Sequence, residues 1–222
     1  MTMVERGAAG SPAFRALAHD DAQIRMRAAM AVGSAPDDRY VAGLVQRCAV
    51  EPEFFVRETL TWALTRHPAA LTVPALVAEL RSDRARARSQ ALHTLSKIGD
   101  VSAWPAITSA LLRDADDEVA RTAWRTAVGL APETERPALA VELGGQLGRG
   151  TRETQLSLSR ALIALGEAGE PVLAAASTGA EPAARVHALA TRKLARDPEA
   201  SFALAIEEAR RLVASAPGDE AG

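Results

Sequence analysis

Pairs that are mostly apolar then polar, followed by small or apolar residues three and seven places on, recur six times at intervals of 31 to 35 residues. The pairs are Ile24-Arg25, Val56-Arg57, Ala87-Arg88, Val119-Ala120, Thr154-Gln155 and Val186-His187. Three places after the second residue of each pair stand Ala28, Leu60, Ala91, Ala123, Leu158 and Ala190, and seven places after it Val32, Leu64, Leu95, Ala127, Leu162 and Leu194. At 100° per residue these positions fall on one side of a helix. The pattern therefore predicts six amphipathic helices, over 24–34, 56–66, 87–97, 119–129, 154–164 and 186–196. Turn residues follow eleven places on: Pro36, Pro68, Gly99, Ala131 with Pro132, Gly166 and Pro198.

A second set of helices alternates with the first, near 38–50, 72–82, 101–113, 133–148, 169–178 and 201–215. No strand alternation is present. Self-similarity at a fixed period decides the architecture before any single residue is read: an all-α helical solenoid of about six repeats. Residues 1–10 carry little periodicity and read as a disordered tail, Ser11-Pro12 as a helix start, 11–215 as a single array and 216–222 as a second tail. The interval between the fourth and fifth copies is longer, around Gly144-Gly145 and Gly148-Arg149-Gly150, and predicts a longer or softer connection there.

The segment Arg88-Ser-Gln-Ala91-Leu-His-Thr-Leu95-Ser-Lys-Ile98-Gly99-Asp100 carries a resemblance to the HEAT repeat family, in the short bacterial form also seen in bilin-lyase-type proteins. The resemblance covers residues 11–215. It implies a right-handed superhelix with the six signature helices lining the concave face. It also implies an acid–arginine ladder between repeats, to which Asp83 and Asp20 or Asp21 with Arg25 correspond. Ala120, Gln155 and His187 depart from it, so that ladder is expected to break in the C-terminal half. TPR and ankyrin arrays have similar periods, but their signature residues are missing.

Composition narrows the picture. Apolar residues make up 48% of the 222, yet aromatics only 4%, so the core must consist of thin helix-on-helix layers. A single cysteine, Cys48, excludes an internal disulfide. No apolar run approaches the roughly 20 residues that span a bilayer, and the N-terminal stretch lacks a signal-peptide pattern. A cytoplasmic protein with no membrane partner is the expectation.

The formal charge of −2 conceals a segregation. The six signature helices hold twelve Lys or Arg against one acid, Glu58, while the rest of the chain holds 14 basic and 27 acidic residues. On the side away from the core, position 5 of the repeat reads Met30, Trp62, His93, Arg125, Arg160, Arg192, and position 9 adds Arg66, Lys97 and Arg196. Neighbouring helices pack about 8–10 Å apart, so these form a stripe, apolar at one end and arginine-rich at the other. Helix propensity and ladder arginines explain part of it. They do not explain Arg121 with Arg125 or Arg192 with Arg196, like-charge pairs one turn apart that repel.

Catalytic chemistry finds little support. His19, His67, His93 and His187 have no metal-ligand spacing. Cys48 lies among apolar residues and reads as a buried thiol. The glycines at 144, 145, 148 and 150 lack a preceding strand and the Lys-Ser/Thr of a phosphate loop. Arg81, Arg84, Arg86 and Arg88 form a basic cluster at a helix start, either a solvated turn or a phosphate contact. Trp124 reads as core and Trp104 as a packing anchor, whereas Trp62 points to the open side, with either a partner or a cation–π contact to Arg66.

The reading is a non-catalytic scaffold, without cofactor, metal or small-molecule substrate, whose basic concave face holds an acidic protein segment. Its contact residues are Trp62, Arg66, His93, Lys97, Arg121, Arg125, Arg160, Arg192 and Arg196. The alternative is nucleic-acid binding by the same arginines. A third reading is an enzyme similar to the HEAT-like alkylpurine DNA glycosylases, which require an aspartate; Glu58 alone stands in its place.

Because the stripe is assigned to the surface, Arg125→Glu with Arg160→Glu is expected to leave the far-UV circular dichroism and Tm nearly unchanged. An unfolded double mutant would place these side chains in the core.

Overall fold

The computed structural model describes residues 12–215, all of whose regular elements are helical. The six signature helices are α2 (Ala22–Ser34), α4 (Phe54–Thr65), α6 (Ala85–Ile98), α8 (Asp117–Leu130), α10 (Arg152–Ala164) and α12 (Pro182–Arg196). Between them lie α1 (Pro12–Ala16), α3 (Val41–Val50), α5 (Ala69–Glu79), α7 (Ser109–Leu112), α9 (Arg136–Gly144), α11 (Gly169–Thr178) and α13 (Phe202–Ser215). The predicted tails and the Ser11 cap lie outside the described residues.

The helix predicted over 101–113 is instead a 3-10 segment, Val101–Ala106, followed by the single turn of α7. Pro105 has no N–H to donate and blocks regular α-helix here, while the Asp100 carboxylate accepts from the Ser102 N–H at 2.9 Å. The helix predicted over 133–148 stops at Gly144.

The helices pack as two compact units. Among the described residues, the first comprises those up to Leu111 together with Glu118–Leu130, the second Leu112–Asp117 together with those from Ala131 to Ser215. In the first, α3 packs on α4, α5 and α6, and α2 packs on α4. Leu44, Leu60, Leu64, Leu76, Leu92, Leu95 and the fully buried Trp124 form its core. In the second, α12 packs on α10, α11 and α13, with Leu143, Leu158, Leu162 and Ile206 buried.

The anticipated acid–arginine contact between repeats is made by Arg25, though with another acid than expected, and a second kind of contact accompanies it. Arg25 donates to the carbonyls of His19 (2.9 Å) and Asp20 (2.7 Å). Arg57 does the same to Glu51 (3.1 Å) and Pro52 (2.6 Å), and Arg88 to Ser82 (2.9 Å). Each arginine thus reaches back six residues to the turn before its own helix. The acid that Arg25 meets is not Asp20 or Asp21 but the buried Glu51, at 2.7 and 2.8 Å. Burial raises the Glu51 pKa, but Arg25, the Glu53 N–H and Arg47 together overcome it, and the net shift is downward. Ala120 has no such side chain, and the carbonyl six residues before it, Asp114 O, is taken by Arg149 from the following turn at 2.5 Å.

Hydroxyls link successive signature helices. Thr61 meets Thr94 at 3.1 Å, Ser89 meets Thr122 at 3.2 Å, Thr126 donates to the Leu92 carbonyl at 3.0 Å, and Ser159 meets Thr191 at 2.7 Å. Each satisfies a polar atom within the thin core.

The glycine-rich segment expected to be soft is pinned. Gly148 and Gly150 have φ of +86° and +69°, conformations that favour glycine. The Gly148 N–H donates to His187 Nδ1 at 3.0 Å, and Arg149 holds Asp117 at 2.8 Å. His187 Nε2 in turn lies 2.9 Å from the Gln155 carbonyl and 3.0 Å from Ser159 Oγ. The imidazole is therefore neutral with its proton on Nε2, since Nδ1 is an acceptor.

Burial lowers the His187 pKa to about 4, although the Gln155 carbonyl pulls it upward. The unfolded chain protonates near the ordinary value of about 6.5. As pH falls from about 6.5 toward about 4, the unfolded state binds more protons, so stability drops by on the order of 3 kcal/mol and then levels off. His187→Gln should flatten this part of the pH dependence of the urea midpoint. An unchanged slope would assign the acid sensitivity to other groups.

Candidate functional site

The open side of the first unit can be mapped by repeat position. Four helices contribute to it, and at each the residues near positions −2, 1, 5 and 9 fall on one stripe. On α2 these are Gln23, Met26, Met30 and Ser34; on α4, Phe55, Glu58, Trp62 and Arg66. On α6 they are Arg86, Ser89, His93 and Lys97; on α8, Glu118, Arg121, Arg125 and Gly129. All sixteen are exposed or half-buried.

Trp62 is 42% exposed and Met30 50%. The indole is not loose. A Cβ at Gly33 would lie 2.4 Å from Trp62 Cζ3 and 2.9 Å from the Ala63 Cα, so α2 and α4 approach closely there and the ring lies on the glycine. Trp62 is thus seated on Gly33 rather than stacked with Arg66; the cation–π contact of this region is Arg57 over Phe54, at 5.9 Å.

Glu58 lies 3.1 Å from His93 Nε2. Burial lowers the His93 pKa; Glu58 opposes that shift, and Arg125 and Lys97 reinforce it. His93 is thus biased toward its neutral form beside Glu58 rather than joining the cations. Arg121 sits 3.5 Å from Glu118 on its own helix. Arg66, Lys97 and Arg125 are exposed, with no ion pair or hydrogen bond to their side chains among the described residues.

The remaining three predicted contacts belong to the second unit. Arg192 is held by Glu170 at 2.8 and 3.1 Å, and Lys193 is paired with Glu208. Arg192 and Arg196 border a cleft of about 350 Å³ between α12 and α13, floored by Leu189, Ala205 and Ala209. Arg160 and Arg196 are exposed. The predicted site thus divides: Trp62, Arg66, His93, Lys97, Arg121 and Arg125 share one face of the first unit, and Arg160, Arg192 and Arg196 lie in the second.

Two features of the first face escaped the sequence. One is Phe55, 74% exposed, beside Phe54 at 57%, the rings 5.5 Å apart edge to face. Its signal was available: it stands seven residues before Trp62 and so shares its side of α4. The other is Gly33, a glycine inside a helix, which costs about 1 kcal/mol relative to alanine and so marks a close approach. Elsewhere the suspected chemistry dissolves. Arg86 and Arg88 donate to the carbonyls of Glu51 and Ser82. Cys48 is buried, which pushes its thiol up to about 12.

No protein-family profile matches the chain, and no curated protein does. Among solved structures, part of the karyopherin Kap121p, bound to the extreme C-terminus of the protein phosphatase Cdc14p, aligns over 90% of this chain with a TM-score of 0.58 and 19% identity. The fold is a helical repeat. The chain spans 25% of that karyopherin's length. An engineered protein aligns over 97% of this chain and 98% of its own length, with a TM-score of 0.48 and 20% identity. Human deoxyhypusine hydroxylase in complex with glycerol aligns over 95% and 96%, at 0.46 and 18%. No helix among the described residues is long and apolar enough to cross a membrane.

Gly33→Ala should push the indole off its seat. A loss of about 1–3 kcal/mol and a shift in tryptophan emission are expected in urea titration and fluorescence. An unchanged spectrum and midpoint would mean that Trp62 does not rest on Gly33.

Proposed function

We propose that this chain is a non-catalytic HEAT-like holder of an acidic protein segment, which it takes on the open face of its first unit. The observation that carries the reading is the contrast between matched and unmatched cations. Arg113 has Glu142 at 2.6 Å, Arg149 has Asp117, and Arg192 has Glu170. Arg66, Lys97 and Arg125 have no such acid, and they share the open face with the half-exposed Trp62. A carboxylate brought to Arg125 can accept two parallel N–H bonds from the guanidinium fork. Of the two acids of the face, Glu58 lies beside His93 and Glu118 lies 3.5 Å from Arg121 on its own helix.

The karyopherin stretch of similar fold comes from a protein seen holding the terminus of another. For the present chain, protein holding is the coarse part of the proposal, and the acidic character of the segment is the finer part. Arg160 and Arg196, in the second unit, would extend the contact only if the segment is long.

An array of acidic, apolar-containing peptides, followed by fluorescence anisotropy of the hits, tests the reading. Labelled DNA and RNA are titrated beside them at about 50 and 200 mM salt, a range over which phosphate-dominated binding falls steeply. Peptide binding that is lost in Lys97→Glu with Arg125→Glu, with no length-dependent binding of nucleic acid, is the expected result. A blank array, or tight salt-sensitive binding of nucleic acid alone, would overturn the proposal.

A further inference from the structure

The open face of the first unit is divided lengthwise. Its α2 and α4 side presents Met30, Phe55 and Trp62, all at least 42% exposed. Its α6 and α8 side presents Lys97 and Arg125, with Glu118 drawn to Arg121 at 3.5 Å. We propose that the occupant is an amphipathic helix, with apolar residues two turns apart along one edge and carboxylates along the adjacent edge. The inference rests on the reading of the face as the holder of an acidic segment and deepens it.

The spacing of the aromatics argues for a helix. Phe55 and Trp62 are seven residues apart, which is about 10.5 Å along α4 and within about 20° around it. A partner helix lying along α4 repeats its own i and i+7 side chains at that same distance. A β-extended partner covers it in three residues, and residues three apart in a strand point to opposite sides. The width agrees as well. Packed helices stand about 8–10 Å apart, and a helix with its side chains is about 10–12 Å across, so one laid along the α4–α6 furrow reaches both sides.

The aromatics are held in place before anything binds. Phe55 is braced edge to face by Phe54, whose ring Arg57 covers, and Trp62 rests on Gly33. Little side-chain freedom is left to lose on association. Glu58 sets the polarity of the occupant: lying between Phe55 and Trp62, it repels a carboxylate placed over α4. The acidic edge must therefore face Lys97 and Arg125. The mode is that of an amphipathic helix in a groove, read through its i and i+7 anchors.

Three labelled peptides of about 18 residues, long enough for five helical turns, test the proposal against the full chain by anisotropy. The first carries leucines at i and i+7 on one edge and glutamates on the adjacent edge. The second has the same composition, shuffled around the helix, and the third is the first with a central proline. The first should bind about tenfold or more tightly than the other two and gain helical circular dichroism. Trp62→Ala and Phe55→Ser should each weaken it about tenfold or more, and Lys97→Glu with Arg125→Glu should abolish it. Phe55 is an exposed side chain, so its substitution tests the contact without touching the core.

Equal binding of all three peptides, insensitive to both aromatic substitutions, would overturn the helical occupant and leave the acidic-segment reading standing. No binding of the first peptide would also overturn it. If the peptide array is blank as well, the broader reading falls with it.

Discussion

Every signature helix begins just after a sharp turn, and the carbonyls of such a turn have no helical partner. An unpaired buried carbonyl is costly, and this chain meets the problem with arginine. Arg25, Arg57 and Arg88 each reach back six residues and donate to the turn they have just left. The bond ties the start of each of these helices to the turn before it. Where the repeat has alanine at this place, Arg149 supplies the donor from the next turn. The buried Glu51 then balances charge in the first unit, accepting from Arg25 and Arg47 at once.

This division of labour changes what the basic helices mean. Twelve cations on six helices look like one continuous electrostatic surface. Three of them are engaged by carbonyls, and Arg192 and Lys193 are neutralised by acids on neighbouring helices. Their charge is largely spent on holding helices together. Of the others, Arg66, Lys97 and Arg125 lie exposed on the open face of the first unit, which also carries an aromatic that the fold itself leaves half in solvent. Charge density along the sequence therefore overstates the binding surface, and the pairing partners are what define it.

The helices were legible because the apolar spacing repeats and helical geometry is local. All six signature helices lie within a few residues of where the pattern puts them, and Trp124 and Cys48 fall in the core as expected. What could not be read was whatever joins one repeat to another. The acceptor of an arginine proved to be a backbone carbonyl, which has no letter of its own, so Asp83 and Asp20 looked like better partners than they are. The Thr and Ser contacts between helices pair residues about thirty apart, with no local pattern to announce them. The glycine-rich segment looked soft because glycine is permissive, whereas Gly148 and Gly150 are there to reach conformations in which the turn is pinned by His187 and Arg149.

The same logic separates the two halves of the candidate face. The close approach of α2 to the Ala63 backbone accounts for Gly33, but folding alone does not account for Trp62. The indole seated on that glycine leaves nearly half its surface in water. A small polar residue at 62 would leave the helix pair in contact without that exposure. The tryptophan on its seat does one thing that such a residue cannot: it presents a large flat apolar surface at a fixed height above the helix. Lys97 and Arg125 sit on long, jointed stems and can follow a carboxylate over several ångströms. A rigid anchor beside adjustable charges selects a partner by shape on one edge and by charge on the other, which is why the position of its apolar residues should matter more than its acidic sequence.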